Sequence, residues 1–364
     1  MVERATNGDP PSSRSRLDLL FRVLGVLVLL ASFGGGWLIM SYRSFVETPL
    51  SVPAKGMVYN VSSGTSLHEL AQDLARRGIV SHPRFLVWMG RDAGYASRIQ
   101  AGEYRLTPQM RPADLLRMLV DGRVIQHSLT LVEGWTFREV MAAVRADPDL
   151  THTLQGLHGE QIMARLGHPG EAPEGRFYPD TYYFPRGTTD VAFLQRAYRM
   201  MARRLKAEWQ QRAPGLPLKS PYQALILASI VEKETAVESE RPRIAGVFIR
   251  RLRLGMRLQT DPTVIFGLGP DFKGRLHASD LRKDTPYNTY TRYGLPPTPI
   301  ALPSGESIHA ALHPAAGDSL YFVARGDGHH HFSRTLAQHD AAVRRYQLHE
   351  DVKVPKEAKG GGSR

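Results

Sequence analysis

The stretch from Ser229 to Thr235, SIVEKET, places two carboxylates directly after an uncharged run that begins at Ala224. Acids in that position either mark a solvated helix end or are wanted at a desolvated cleft. Ser220, Pro221 and Gln223 set the helix start: an N-cap serine, a proline at the first helical position and a glutamine placed to close a capping box. The pattern predicts a helix running to about Val237. At 3.6 residues per turn, Glu234 falls in line with Leu227, Ile230 and Val231, and Glu232 with Leu225, Ala228 and Ser229. The two acids therefore point roughly opposite ways. A carboxyl among bulky apolar neighbours loses hydration in its charged form, which favours the protonated state that a general acid needs near neutral pH. Glu234 is the first choice for such an acid and Glu232 the second, although two ordinary polar residues at a helix end would show the same spacing.

The elements around this helix begin with an apolar stretch. From Val23 to Met40 no residue carries a charge, and Leu17, Leu19 and Leu20 extend the apolar character backwards. That length suits a transmembrane helix, here taken as residues 17–42. Arg14, Arg16 and Arg22 lie before or at its start, which predicts a cytoplasmic tail at residues 1–16 and a chain that otherwise lies across the membrane. A cleavable signal peptide would have a shorter apolar region and a small-x-small cleavage site. Trp37 and Tyr42 stand where interfacial aromatics belong.

The whole chain has 364 residues, no cysteine, a net charge of +12 and 42% hydrophobic residues. The missing cysteines exclude disulfides, thiol catalysis and cysteine-rich zinc sites. The basic residues are scattered rather than gathered into a stripe with interleaved aromatics, and with the expected topology this argues against a nucleic-acid partner.

Pro49 and Pro53 suggest a stalk at 43–56. Strands near Val58–Val61, Gly102–Leu106 and Gln126–Leu131 alternate with helices at Leu67–Arg76, Pro83–Asp92 and Pro112–Asp121. This alternation resembles the small glycan-binding LysM module over residues 57–130. A second, mixed α+β unit is expected at 131–350. Its segment from Gly175 to Thr189, with Phe177, Tyr178, Tyr182, Tyr183 and Phe184 around Asp180, could line a sugar cleft or pack on the core. Asp261 is expected to be held extended by Pro262. The loops at 285–290 and 294–300, rich in proline, hydroxyls and aromatics, read as segments of held shape. Successive residues His329, His330 and His331 should point to different sides and not share an ion, so no metal site and no cofactor are expected. Residues 351–364 read as a disordered tail.

Four motifs in order, Ala228–Thr235, Gly255–Val264, Tyr287–Tyr290 and Gly294–Pro297, resemble those of the endolytic murein transglycosylases, the MltG or YceG-like family. The resemblance covers nearly everything from the anchor to about Leu348. It implies a single-pass inner-membrane protein with a LysM-like module and a periplasmic catalytic domain that cuts peptidoglycan glycan strands internally. The lytic transglycosylase pattern of a catalytic Glu followed by Ser or Thr falls on Glu234 and Thr235. Glu234 would protonate the oxygen between N-acetylmuramic acid and N-acetylglucosamine, then accept the proton of the muramoyl C6 hydroxyl as it closes a 1,6-anhydro ring. A hydrolase would need a second carboxylate, ~5 Å away as nucleophile or ~6.5–9.5 Å away to hold water, and Asp261 or Glu232 could fill that post. A non-catalytic peptidoglycan-binding scaffold is a further alternative. The resemblance also marks Gln259, Asp261, Tyr287, Asn288, Asp180 and His330 as substrate contacts or orienters; Tyr178, beside Asp180 and departing in detail from the family's loop, is expected to join them. Enzymes that polymerise glycan strands in the same membrane are the implied protein partners.

Overall fold

The computed structural model describes residues 13–348, so most of the expected cytoplasmic tail and all of the expected disordered tail lie outside the described residues. The chain is α+β and divides into two compact units after Ile125.

The first unit begins with a single long helix, α1 (Ser13–Glu47). Its apolar side chains from Leu20 to Met40 are all exposed, and by length and composition the helix can cross a membrane. The segment expected to be a stalk is not one. Helix α1 continues to Glu47, and Phe45 and Leu50 are buried in the core of this unit. Pro49 and Pro53 fall beyond the helix end, where proline costs nothing helical, while the apolar residues beside them find partners that no local pattern announces.

Strand β1 (Met57–Val61) leads to α2 (Leu67–Arg76) and α3 (Pro83–Asp92), followed by β2 (Gly102–Leu106) and α4 (Pro112–Asp121). Strands β1 and β2 are antiparallel, with Met57 opposite Leu106. Ser66 caps α2 in a closed box: its Oγ accepts from the Glu69 N–H while the Glu69 carboxylate accepts from the Ser66 N–H at 2.9 Å. Such a cap is worth about 1 kcal/mol. Leu70, Leu74, Leu86, Tyr104, Leu106, Leu115 and Leu119 form the core. Helices α2 and α3 approach closely at Gly90, where a Cβ would stand 2.6 Å from Leu67 Cδ2.

The second unit starts with β3 (His127–Thr130), which pairs antiparallel with a later strand over Thr181–Phe184 and so belongs here rather than to the preceding module. Helix α5 (Phe137–Ala146), strand β4 (Leu150–Thr151), α6 (Gly159–Arg165), β5 (Thr181–Phe184), β6 (Thr188–Thr189) and α7 (Asp190–Gln210) build one core around Phe177, Phe184, Phe193 and Leu194. Four more helices follow: α8 (Pro221–Glu234), α9 (Arg241–Arg253), α10 (Asp261–Leu268) and α11 (Ala278–Arg282). The chain then forms α12 (Gly305–Leu312), the antiparallel hairpin β7 (Tyr321–Ala324) and β8 (His330–Ser333), and α13 (Leu336–Tyr346). Helix α8 is buried on every side over residues 224–231 and packs on α7, α9, α10 and α12, as an all-round apolar helix must.

Candidate active site

Helix α8 begins as its residues dictate, with the Ser220 Oγ accepting from the Gln223 N–H and Pro221 in the first turn. It stops three residues earlier than the periodicity suggests. Thr235 turns extended (φ −147°, ψ 136°), and its hydroxyl accepts from the Val237 N–H, so the chain leaves the helix at once. Glu234 is thus the last helical residue.

The two acids diverge as their spacing requires. The carboxyl of Glu234 is turned towards the start of α10, where Thr260 donates its hydroxyl to Oε1. Thr260 is itself buried and locked. Its N–H donates to Thr289 Oγ1 at 3.1 Å, and the Thr289 hydroxyl lies 2.9 Å from that of Thr263. Burial pushes the Glu234 carboxyl up to about 7; the nearby charge of Asp261 adds to the rise, while the Thr260 hydroxyl and the Arg251 guanidinium oppose it. The negative end of the α8 dipole acts in the same direction as burial. A group so placed holds a proton near neutrality and can release it without leaving its pocket.

Glu232 has different surroundings. Its Oε2 accepts from the Ser304 N–H at 2.9 Å and hydroxyl at 2.6 Å, and its Oε1 lies 3.5 Å from the Arg241 guanidinium. Both partners are buried, and Ser304 is also the N-cap of α12. Glu232 braces α8 against α9 and α12.

Thr260 lies beside Glu234 in the segment Gln259, Thr260 and Asp261, whose residues are exposed, buried and exposed in turn. Gln259 has φ +51°, the one non-glycine residue with positive φ among the described residues. Such a backbone persists only where surrounding contacts hold it. Here the Gln259 N–H donates to the Thr289 carbonyl at 3.1 Å, and Arg251 Nη1 reaches Gln259 Oε1 at 3.3 Å. Buried Arg251 also donates to the carbonyls of Arg257, Leu258 and Leu320, which ties α9 to this loop.

Asp261 is not extended. It is the first residue of α10, Pro262 occupies the first turn where no backbone donor is needed, and the extended residue is Thr260. Asp261 Oδ1 accepts from the Tyr290 hydroxyl at 2.5 Å.

The remaining expected site residues are placed as follows. Asn288 is fully buried, with its amide N–H groups on the carbonyls of Asp280, Leu281 and Lys283 and its oxygen accepting from the Tyr290 N–H. It is a loop brace with nothing left for a ligand. Tyr287 is half-buried against Phe266, its hydroxyl 2.9 Å from that of Thr298. Phe177, Tyr182 and Phe184 are core residues rather than cleft lining, while Tyr178 borders a groove of about 490 Å³ with Arg204, Arg241 and Glu306. Asp180 is exposed and accepts from the Thr181 N–H. His330 lies 2.7 Å from Glu240 through Nδ1, and His329 approaches the same carboxylate at 3.4 Å, so two adjacent histidines converge where alternation would separate them. Elsewhere Glu208, His309 and His313 bring three ligating atoms within 4.8 Å of one another, a set that could hold a metal ion.

Sequence reasoning passed over Thr260, Arg251 and Tyr290. Arg251 carried a signal, since it falls in line with Ile244, Val247 and Phe248 on the apolar face of its helix. Thr260 and Tyr290 sit inside quoted motifs, but their pairing across 26 and 29 residues is tertiary.

Comparison with known proteins adds to this geometry. The sequence model of the YceG-like family matches residues 59–345. The endolytic murein transglycosylase of Bacillus subtilis (strain 168) is 29% identical over 334 residues, covering 86% of this chain and 90% of that protein. The protein of the same name from Streptococcus pneumoniae serotype 2 is 26% identical over 358 residues, which span 88% of this chain and 64% of that longer one. A crystal structure of a yceG-like protein from Listeria monocytogenes superimposes with a TM-score of 0.50 at 26% identity, over 78% of this chain and 98% of its own. With the match extending over most of its length, the chain belongs to the YceG-like family.

Proposed function

We propose that this chain is an endolytic lytic transglycosylase that cleaves peptidoglycan glycan strands between N-acetylmuramic acid and N-acetylglucosamine. Glu234 acts first as acid and then as base. The observation that carries this reading is the Glu234 carboxyl at the end of α8, half-buried, held by the Thr260 hydroxyl and pushed up to about 7 by desolvation. In the protonated form it gives its hydrogen to the glycosidic oxygen as the C1–O bond breaks. The resulting carboxylate takes the proton of the C6 hydroxyl as that oxygen closes on C1. Water takes no part, so a second carboxylate is not required. Asp261, already bound by Tyr290, serves to hold charge beside Glu234, and exposed Gln259 and Asp261 are the groups that meet the sugar.

The β1-α2-α3-β2 order of the first unit suits a LysM-like glycan-binding module. Helix α1 is read as a single-pass anchor in the inner membrane with its N-terminus cytoplasmic, since Arg14, Arg16 and Arg22 precede or open the apolar run and the catalytic unit then lies in the periplasm. From that position an internal cut would set the length of strands made by neighbouring synthases. The test is digestion of purified glycan strands followed by mass spectrometry. The expected products end in 1,6-anhydro-muramic acid and vanish with Glu234→Gln. Products heavier by one water would instead identify a hydrolase.

A further inference from the structure

The membrane-proximal part of the first unit carries an aromatic and basic surface that the glycan chemistry does not use. Helix α3 presents Arg84, Trp88 and Arg91 at spacings of four and three, hence on one face. All three side chains are exposed, and Trp88 is 53% accessible, unusual for so large an apolar group. With His68, Gln72 and Pro83 they border a groove of about 370 Å³ between α2 and α3, and no acid lines it. Neither arginine has an ion-pair partner among the described residues.

The position of this surface is fixed by α1. The Tyr42 ring lies 4.5 Å from Trp88 and 5.5 Å from Phe85, and Phe45 packs on Phe85 at 5.8 Å. Tyr42 is two residues past Met40, the end of the exposed apolar run, or about 3 Å further along the helix axis. A headgroup layer extends roughly 5–8 Å beyond the hydrocarbon on each side. Trp88 therefore lies at the depth where tryptophan is favoured, its ring against apolar matter and its N–H among polar groups. Two guanidiniums at the same level, without ion-pair partners among the described residues, match phosphate oxygens in charge and in fork geometry.

We infer that the α2–α3 groove, through Arg84, Trp88 and Arg91, docks on the headgroups of anionic phospholipids and seats the first unit on the membrane. This rests on reading α1 as a membrane anchor. Partition of basic residues at an anionic surface contributes about fivefold per Arg, and the docked unit would stand directly on the bilayer rather than swing above it.

The chain has no cysteine, so Asp92→Cys, at the exposed end of α3, gives a single labelling point. The labelled full chain is placed in phosphatidylglycerol nanodiscs containing a lipid with a headgroup quencher. Quenching is expected to be at least threefold stronger than when Arg84→Gln, Trp88→Ala and Arg91→Gln are introduced together, with circular dichroism confirming that this variant is folded. It should weaken in discs of zwitterionic lipid and persist in inorganic phosphate at matched ionic strength. Equal quenching in the two proteins overturns the inference, as does relief by free phosphate or by soluble murein fragments, which would make the groove an anion or sugar site. A chain that fails to enter the discs removes the anchor and this inference with it, whereas an anchored chain whose label escapes quenching overturns the docking alone.

Discussion

Thr260 donates its hydroxyl to Glu234, joining the last residue of α8 to the N-cap of α10. The donor favours the carboxylate, so it opposes the effect of burial and moderates how tightly the proton is held. Removing it with Thr260→Val should raise the Glu234 pKa by roughly one to two units, the equivalent of a hydrogen bond to a charged group worth about 1.5–3 kcal/mol. The measurement is the pH profile of strand cleavage. Its alkaline limb should move to higher pH and its maximum rate should fall, while Thr260→Ser restores both.

Activity that depends on a protonated Glu234 must decline as pH rises through about 7. Glu234→Gln should abolish anhydro products at every pH. The same substitution tests stability. The folded state holds a proton on Glu234 that the unfolded chain gives up above its ordinary value of 4.5, so wild-type stability falls as pH rises from about 4.5 to about 7. Gln cannot ionise, and the variant should gain up to about 3 kcal/mol on wild type at pH 8 relative to pH 4. Urea melts at the two pH values give the difference, and a constant gap would mean that Glu234 is not perturbed.

Glu232 predicts the opposite pattern. Glu232→Ala leaves Ser304 and Arg241 without their acceptor and should destabilise the fold by about 3 kcal/mol, the scale found when one member of a buried ion pair is removed. Folded protein at low temperature should still produce anhydro ends. Complete loss of chemistry in a folded Glu232→Gln variant would transfer the catalytic role to this acid.

Asn288 offers a further separation of roles. With its amide shared among four backbone groups, Asn288→Ala should cost about 2–4 kcal/mol through unsatisfied buried partners and lower the melting temperature. A sugar contact would show instead as a raised KM with an unchanged melting temperature.

Glu174 behaves like Glu234 without serving the chemistry. Its two oxygens accept from the Phe137 N–H at 3.0 and 3.1 Å, and burial pushes it up to about 7. Folded protein again retains a proton between about 4.5 and 7, so this group too removes stability as pH rises through that window. Glu174→Gln should flatten the dependence of melting temperature on pH without moving the pH profile of cleavage.

Much of the architecture could be read from local signals. Helix α2 appears at Leu67–Arg76 because Ser66 caps its start, Glu69 closes the box and a four-residue apolar stripe runs along one face. The divergence of Glu232 and Glu234 follows from helical geometry alone. What escaped depends on distant partners: Phe45 and Leu50 leave the expected stalk for a core assembled from residues far along the chain, and Thr260 gains its role from Thr289 and Glu234. Asn288 illustrates the converse, a polar residue in a loop whose side chain is consumed by its own neighbours.

The final turn of α8 sends its three side chains to three separate parts of the second unit. Glu232 reaches Ser304, Lys233 reaches the Gly134 carbonyl, and Glu234 reaches Thr260. Each step along a helix rotates the side chain by about 100°. Inserting a single residue within α8 would therefore hand every one of these side chains to the wrong neighbour, presenting the Lys233 ammonium to Thr260 in place of the Glu234 carboxyl. The address of each of these side chains is an angle around the helix axis, and side-chain identity without that angle would be chemically mute.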